Sequence, residues 1–158
     1  MNMKKKKAFT LIELLVVVAI MGLLSAVAVI ALNNARARAR DARRISDIKQ
    51  IQTALELYYL DQNEYPDTPT ASIIGGMCLD SVDGFDTEAC SGTTYMAKVS
   101  ENPQPRTDGS CVNTGYNYTA TTTLTKNLSY RIQYCLGAII GGVAAGIRIA
   151  TPAGISDP

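Results

Sequence analysis

The strongest constraint on this 158-residue chain is an apolar segment close to its start. Lys4 to Lys7 precede the segment, and Glu13 is the one charged residue between them and Arg36. The 24 residues from Phe9 to Leu32 contain no proline. At about 1.5 Å per residue they can cross a hydrocarbon core of about 30 Å as one helix. The sequence therefore predicts a single membrane-spanning helix with the lysines on the cytoplasmic side.

The cysteines indicate that the rest of the chain lies outside the cytoplasm. Arginines also follow the apolar segment, so positive charge alone does not fix the orientation. The chain has four cysteines in a loop-rich region, which is typical of disulfides formed in an oxidising compartment. Three pairings are open. We favour Cys78 with Cys90, which closes a short loop, and Cys111 with Cys135, which ties a predicted hairpin to a predicted strand.

Three interpretations of the N-terminus compete. An ordinary secretory signal would be cut after Ala26-Val27-Ala28, but the arginines just beyond that cut would be poorly translocated. A plain signal anchor would tether an unrelated domain. Neither accounts for Glu13, because a carboxylate inside an apolar span costs about 2–3 kcal/mol near the centre and less near the edge. A third interpretation gives Glu13 a positive partner.

A dense motif supports the third interpretation. Lysine, a small residue, Phe and then Thr-Leu-Ile-Glu follow one another in Lys7-Ala8-Phe9-Thr10-Leu11-Ile12-Glu13-Leu14-Leu15-Val16-Val17. This run resembles the processing motif of type IV prepilins and type II secretion pseudopilins. In that family a prepilin peptidase cuts before the Phe and methylates the new amine. The resemblance implies cleavage between Ala8 and Phe9, although most family members have Gly where this chain has Ala8.

The resemblance also implies a role for Glu13 in assembly. Its carboxylate would pair with the charged Phe9 amine of a neighbouring subunit and set the axial register of a filament. Opposite charges buried together attract strongly, whereas either one alone is costly in an apolar bundle. The alternative is that Glu13 is an interfacial residue whose side chain reaches the lipid headgroups.

The helix is predicted to continue beyond the membrane. Residues 35–59 lack Gly and Pro and are rich in helix formers, and Pro66 prevents further continuation. We interpret the arginines from Arg36 to Arg44 as a solvated or headgroup-facing collar, which intersubunit ion pairs in a filament would also use; the alternative is a basic cluster that binds nucleic acid. An apolar stripe for packing consists of Ile45, Ile48, Ile51, Gln52, Leu55, Tyr58 and Tyr59.

The C-terminal part is predicted to form a small antiparallel sheet, so the fold class is α+β, as in pilins. Tyr95–Val99 is predicted as a strand or a helical turn, and 67–86, with Pro, Gly and no period, as a loop. Tyr116–Thr119 and Val143–Ala150 are predicted as partners of a strand with one buried face. That face consists of Leu128, Tyr130, Ile132, Tyr134 and Leu136.

These expectations divide the chain into four parts. Residues 1–8 are a cytoplasmic leader that is removed, and 9–34 are a transmembrane and filament-core helix. Residues 35–64 continue that helix as an amphipathic segment, and 65–158 form a disulfide-stabilised extracytoplasmic head. The precursor is expected in the cytoplasmic (inner) membrane with its C-terminus outside, and the processed subunit in an extracellular or periplasmic filament.

The composition argues against an enzyme. The chain has no His, which removes the commonest general base and metal ligand. The cysteines lack a C-x-x-C spacing, which disfavours a zinc site. Asp80, Asp83, Asp86 and Glu88 lack the EF-hand spacing, so we interpret them as a solvated loop rather than a calcium site. We expect no catalytic residue, no cofactor and no metal.

We interpret the chain as a structural subunit of a bacterial type IV pilus-like filament. The resemblance implies several partners: other copies of the chain in a helical filament, prepilin peptidase, an inner-membrane assembly platform, and membrane lipid before assembly. A type II secretion pseudopilin is the alternative within the family. The alternative from another class is a membrane-anchored module that binds a ligand without polymerising. DNA is one such ligand, although nothing in the sequence supports it.

Overall fold

The computed structural model describes residues 9–87, 90–106, 111 and 115–158. The chain divides into two compact units, Met1–Arg36 and Ala37–Pro158. One helix, α1 (Leu11–Gln62), contributes residues to both units. The described strands are β1 (Cys78–Asp80), β2 (Gly84–Asp86), β3 (Thr94–Met96), β4 (Asn117–Thr123), β5 (Lys126–Leu136), β6 (Gly146–Thr151) and β7 (Gly154–Ser156).

Local sequence signals set the end of α1. The helix contains no proline, and Gly22 is its one glycine. Asn63 follows it in the left-handed region at φ 58° and donates its N–H to the Tyr59 carbonyl at 2.8 Å. A left-handed residue after the last turn is a common helix C-cap, and Pro66 prevents the helix from resuming.

The first unit exposes its apolar side chains. Every described residue from 9 to 36 is exposed, including Phe9 at 76% and Leu11 at 81%. The most apolar 18-residue window of α1 has a mean hydropathy of 3.0 and is 0% buried. By its length and composition this helix can cross a membrane. Among the residues that the structure describes, none therefore buries this apolar surface.

The second unit contains two antiparallel sheets beside the C-terminal half of α1. The larger sheet has the order β4-β5-β6-β7 and the smaller one β2-β1-β3. In the larger sheet Ile132 of β5 is opposite both Tyr118 of β4 and Ala150 of β6. One face of β5 and one face of α1 share a single core. The members from these two elements are Ile45, Ile48, Ile51, Ala54, Leu55, Tyr58, Tyr130, Ile132, Tyr134 and Leu136.

Tyrosine side chains make up much of this core. The Tyr65 and Tyr130 rings lie edge to face with centroids 4.8 Å apart, and Tyr118 stacks on Tyr130 at 6.0 Å. Phe85 of the smaller sheet contacts Tyr118 at 4.8 Å. Aromatic pairs of this kind add about 0.5–1.5 kcal/mol to the stabilisation from buried area. The aromatic contacts therefore join the two sheets and the chain after α1.

The α+β fold class is confirmed, and the alternation of β5 is nearly as predicted. Tyr130 and Ile132 are buried, but Leu128 is 48% exposed. The prediction of a loop over residues 67–86 is wrong in part, because β1 and β2 lie within it. Each of these strands has three residues, too few to show an alternating pattern in the sequence. Tyr95 lies in strand β3 rather than in a helical turn.

Candidate functional site

Glu13 closes the first turn of α1 together with Thr10. The Glu13 Oε2 atom accepts the Thr10 backbone N–H at 2.9 Å and the Thr10 hydroxyl at 2.7 Å. In return the Glu13 N–H donates to Thr10 Oγ1 at 3.3 Å. This reciprocal arrangement is a capping box, which satisfies backbone donors at a helix start. The Thr-x-x-Glu spacing is the sequence signal of this cap, a role for Glu13 beside the assembly and interfacial roles considered above.

The cap leaves part of the Glu13 carboxylate available. Both Thr10 donors use Oε2, and Oε1 has no hydrogen-bond donor among the residues that the structure describes. Phe9, the predicted mature N-terminus, is the first described residue. Ala8 and the preceding lysines lie outside the described residues, so cleavage at Ala8 stays a prediction. The role of Glu13 between subunits also stays a prediction.

Arg44 lies in the interior of the second unit, so the interpretation of this arginine as part of a solvated collar is wrong. It is 0% exposed, and its Nη1 donates to Asp41 Oδ1 at 2.7 Å. Its Nε donates to Asn102 Oδ1 at 2.7 Å, and its Nη2 donates to the carbonyls of Pro103 at 3.2 Å and Pro105 at 2.8 Å. A guanidinium suits this site because its donors are fixed in one plane.

Asp41 connects the same pair to the end of strand β5. Its carboxylate is 0% exposed and accepts the Gly137 N–H on both oxygens, each at 3.1 Å. The Ala138 N–H donates to Oδ2 at 2.9 Å. The Asp41–Arg44 pair therefore joins α1 to two distant segments with its polar groups satisfied. By contrast, Arg38 and Arg43 are exposed, as the collar interpretation expects.

Asp47 is a third buried charge on α1, and it contacts Tyr116. The Tyr116 hydroxyl donates to Asp47 Oδ2 at 2.9 Å. Burial raises the pKa of Tyr116 well above its ordinary value, and the neighbouring Asp47 carboxylate raises it further. The hydroxyl therefore stays protonated and keeps donating over the whole physiological pH range.

Asp80 holds a turn in the smaller sheet through its carboxylate. Its Oδ1 accepts the N–H groups of Val82 and Asp83, each at 2.9 Å, and its Oδ2 accepts that of Ser91 at 2.9 Å. Burial alone would raise the pKa of Asp80, but these three backbone donors outweigh it and lower that pKa below its ordinary value. Glu88, the last member of the predicted acidic loop, lies outside the described residues.

The four cysteines form the two disulfides favoured from the sequence. Cys78 is bonded to Cys90 with a Cα–Cα distance of 5.7 Å, and Cys111 to Cys135 with 6.1 Å. Cys78, Cys90 and Asp80 place their ligand-type atoms within 4.8 Å of one another. Because both sulfurs of this group are in a disulfide, they offer no thiolate to a metal. Cys135 is two residues before Gly137, so a disulfide and the Asp41 carboxylate hold the same end of β5.

Comparisons with known proteins relate this chain to secretion and fimbrial proteins. Residues 3–29 match the family described as the prokaryotic N-terminal methylation motif. Type II secretion system core protein G of Aeromonas hydrophila is 37% identical over 68 residues, which are 43% of this chain and 48% of that protein. A fimbrial protein of Pseudomonas aeruginosa is 40% identical over 68 residues, 43% of this chain and 44% of that protein.

A third relative is the type IV major fimbrial protein FimA of Dichelobacter nodosus. It is 45% identical over 62 residues, which are 39% of this chain and 40% of FimA. The chain thus spans less than half the length of each of these relatives. No solved structure matches the chain.

Proposed function

We propose that this chain, which carries the N-terminal methylation motif and has distant homology to type II secretion core protein G and to fimbrial proteins, is a structural subunit of a bacterial type IV pilus-like filament. Its role would be structural rather than enzymatic. The first part of α1 would form the filament core, and the head would form the outer surface. We propose the same division of the chain that the sequence predicts. Its four parts are the leader 1–8, the core helix 9–34, the amphipathic helix 35–64 and the head 65–158.

The observation that carries this proposal is the uncovered apolar surface of the first unit. Every described residue from 9 to 36 is exposed, and the run includes Leu23 at 69% and Ile30 at 65%. Apolar surface costs about 25 cal/mol per Å² in water, so a surface of this extent requires a partner. In the precursor that partner would be membrane lipid. In the filament it would be the same helix of other copies.

Processing would prepare the end of this helix for assembly. A prepilin peptidase would cut between Ala8 and Phe9 and methylate the new Phe9 amine. The charged amine would then pair with the Glu13 carboxylate of a neighbouring copy. Since the capping box uses Oε2, the Oε1 atom of Glu13 is the acceptor available for that amine. An inner-membrane assembly platform would extract each subunit from the bilayer.

A type II secretion pseudopilin is the second candidate, because the relatives that match this chain include type II secretion core protein G as well as fimbrial proteins. In that case the filament would be short and periplasmic. The remaining alternative is an anchored module that binds a ligand, such as DNA, and does not polymerise.

Electron microscopy of sheared surface material, with mass spectrometry of its protein, tests these candidates. We expect long filaments whose protein begins at N-methylated Phe9. Absence of surface filaments, together with the processed chain in periplasmic oligomers, would favour the pseudopilin. A processed but monomeric membrane protein would favour the anchored module. A mature chain that begins at Val29 would contradict the proposal and establish an ordinary secretory signal.

A further inference from the structure

Strands β4 and β5 form one hairpin of the head, and a second, shorter hairpin follows β5. This shorter hairpin has no polar side chain at all. The residues from Gly137 to Ile147 are Gly, Ala, Ile or Val without exception. Within this run the Ile140 N–H donates to the Val143 carbonyl at 3.0 Å, and the Val143 N–H donates to the Ile140 carbonyl at 2.9 Å. Gly141 and Gly142 form the turn at φ 57° and 82°, the positive values that a two-residue type I′ turn requires. We name residues 137–146 the apolar hairpin.

The apolar hairpin has an inner and an outer side. Ile140 and Val143 are partly buried against the core of the head. Ile139 points away from that core and is 71% exposed, while Ala144 and Ala145 are exposed as well. The outer side therefore presents a large aliphatic side chain beside small ones. An exposed turn usually carries polar side chains, so this composition indicates a partner that is not water.

Charged side chains hold both ends of the apolar hairpin. At its start the Asp41 carboxylate accepts the N–H groups of Gly137 and Ala138. At its end Arg148 donates from Nε to the Ala144 carbonyl at 2.8 Å and from Nη2 to the Ala145 carbonyl at 2.5 Å. The backbone is thus fixed at four of its polar groups while the outer side chains stay apolar. A surface loop without a defined role would not need these four hydrogen bonds from charged side chains to its backbone.

The anchor of this hairpin is close in sequence to the predicted membrane segment. Asp41 follows Leu32, the last residue of the apolar run, by nine residues. At the other end of β5 the Tyr65 N–H donates to the Asn127 carbonyl at 2.8 Å, and Leu124 in the β4–β5 turn is 98% exposed. The two hairpins therefore lie at opposite ends of β5, and the anchor of the apolar one is nearer in sequence to the span.

The charge near the hairpin anchor also suits a membrane. Arg38 and Arg43, on either side of Asp41 along α1, are exposed. Basic side chains near a membrane surface are attracted to anionic phospholipids, and exposed apolar side chains beside them are typical of interfacial contact. A neighbouring copy of the head would gain less from this combination, because its own corresponding surface carries the same positive charge.

We propose that, in the membrane-held precursor, the apolar hairpin enters the headgroup region of the outer leaflet with Ile139 leading. The head would then lie against the bilayer until assembly withdraws it. This inference rests on the proposed function only in that the precursor is held in the membrane by its apolar segment.

The absence of tryptophan from the chain allows a direct test. Full-length Ile139→Trp would be reconstituted into vesicles of phosphatidylethanolamine and phosphatidylglycerol, with and without brominated acyl chains. Leu124→Trp is the matched control, since it puts the same fluorophore at the exposed tip of the distant hairpin. Mobility on non-reducing gels would show that both variants retain both disulfides, and flotation would show that both are in the vesicles.

We expect the indole emission of the Ile139→Trp variant to shift to shorter wavelength, to lose intensity in brominated lipid and to resist aqueous iodide. The Leu124→Trp variant should emit as in water and be quenched by iodide. If the two variants give the same emission and quenching in protein that floats with the vesicles, the inference is wrong and the proposed function is unaffected. A shift that depends on protein concentration, without quenching by bromine, would also overturn it and indicate a second copy. Protein that does not float contradicts the membrane stage of the proposed function as well.

Discussion

The two halves of α1 follow opposite rules of burial. In its first half, through Arg36, the side chains are mostly apolar and all are exposed. In its second half nine side chains are buried, and three of them, Asp41, Arg44 and Asp47, are charged. Hydrophobicity alone would predict that the apolar first half is buried and that these three charged side chains are exposed. Burial along this helix depends instead on where the partner of each side chain comes from.

For the second half of α1 the partners are in the same chain. Arg44 meets carbonyls and an amide, Asp41 meets two backbone N–H groups, and Asp47 meets a tyrosine hydroxyl. A buried charge is tolerated when its hydrogen bonds are satisfied in this way. For the first half we propose a partner outside the chain, either lipid or other copies. The following predictions test this contrast, beginning with the first half.

We predict that Glu13→Ala abolishes filaments but leaves membrane insertion and cleavage intact. The substitution would leave the Phe9 amine of a neighbouring copy buried without a partner, at a cost of about 3–5 kcal/mol per contact. Glu13→Gln should be nearly as harmful, because the amide keeps the shape but not the charge. Electron microscopy would count filaments, and mass spectrometry would locate the N-terminus.

Thr10→Ala separates this assembly role from the capping box. It removes the hydroxyl that contacts Glu13 but keeps the carboxylate, and loss of a cap costs about 0.5–2 kcal/mol. Filaments of Thr10→Ala should therefore still form. Equal loss in both variants would mean that Glu13 acts as a cap. Normal filament number and length in Glu13→Ala would show that Glu13 sets no register.

In the second half of α1, Arg44→Ala should lower the free energy of unfolding of the head by about 3–5 kcal/mol, since it leaves the buried Asp41 carboxylate without its cation. Arg43→Ala is the matched control. Its side chain is exposed one residue away, so we expect a change within about 0.5 kcal/mol. Urea denaturation of the full-length proteins in detergent would measure both. Similar values for the two variants would contradict the buried pair.

Removing the disulfides should destabilise the head and spare the first unit. We expect the double substitution Cys111→Ser and Cys135→Ser to cost about 3.5 kcal/mol, and Cys78→Ser with Cys90→Ser about 3 kcal/mol, because the first pair closes the longer loop. Urea denaturation gives the cost, and flotation with vesicles reports on the membrane segment. A variant that no longer floats would show that the two regions are not independent. Free thiols in native protein would contradict the disulfides themselves.

The smallest predicted effect concerns pH and Asp80. Because folding lowers the pKa of Asp80, its contribution is present above the ordinary value of 3.8 and is lost as the pH falls through the lower, folded value. Asp80→Asn keeps an acceptor for part of the turn, so we expect a loss of about 1 kcal/mol at neutral pH. The variant should also lose less stability than the parent below about pH 4. Parallel acid titrations of urea stability would measure the difference, and superimposable curves would exclude the role.

The sequence predicts those parts of this fold that depend on periodicity. The stripe with Ile48, Ile51 and Leu55 is buried as expected, and β5 is buried on the face with Tyr130 and Ile132. The pattern is visible because a long element repeats it several times. The three-residue strands β1, β2 and β3 repeat nothing, and their pairing depends on contacts with one another.

The candidate site is less predictable for a related reason. Arg44 looks like any arginine in a basic run, because its acceptors at Asn102 and beyond are almost 60 residues away. No local pattern shows such a partner. The Thr10–Glu13 cap is different, since its spacing is complete within four residues and can be recognised in the sequence. Hydrogen bonds between neighbouring residues can thus be predicted from the sequence. Whether a charged side chain is buried depends on contacts with distant segments of the folded chain.

The tyrosine core of the head has a practical consequence for observing the two regions separately. All eight tyrosines lie between Tyr58 and Tyr134, and the chain has no tryptophan. Near-ultraviolet absorbance and circular dichroism therefore come almost entirely from the second unit, whereas the first unit contributes mainly through its peptide groups. In lipid, in detergent or in a filament, loss of the tyrosine signal would report melting of the head without any label. Helical signal that persists after that loss would belong to the first unit, so one sample yields a melting curve for each region.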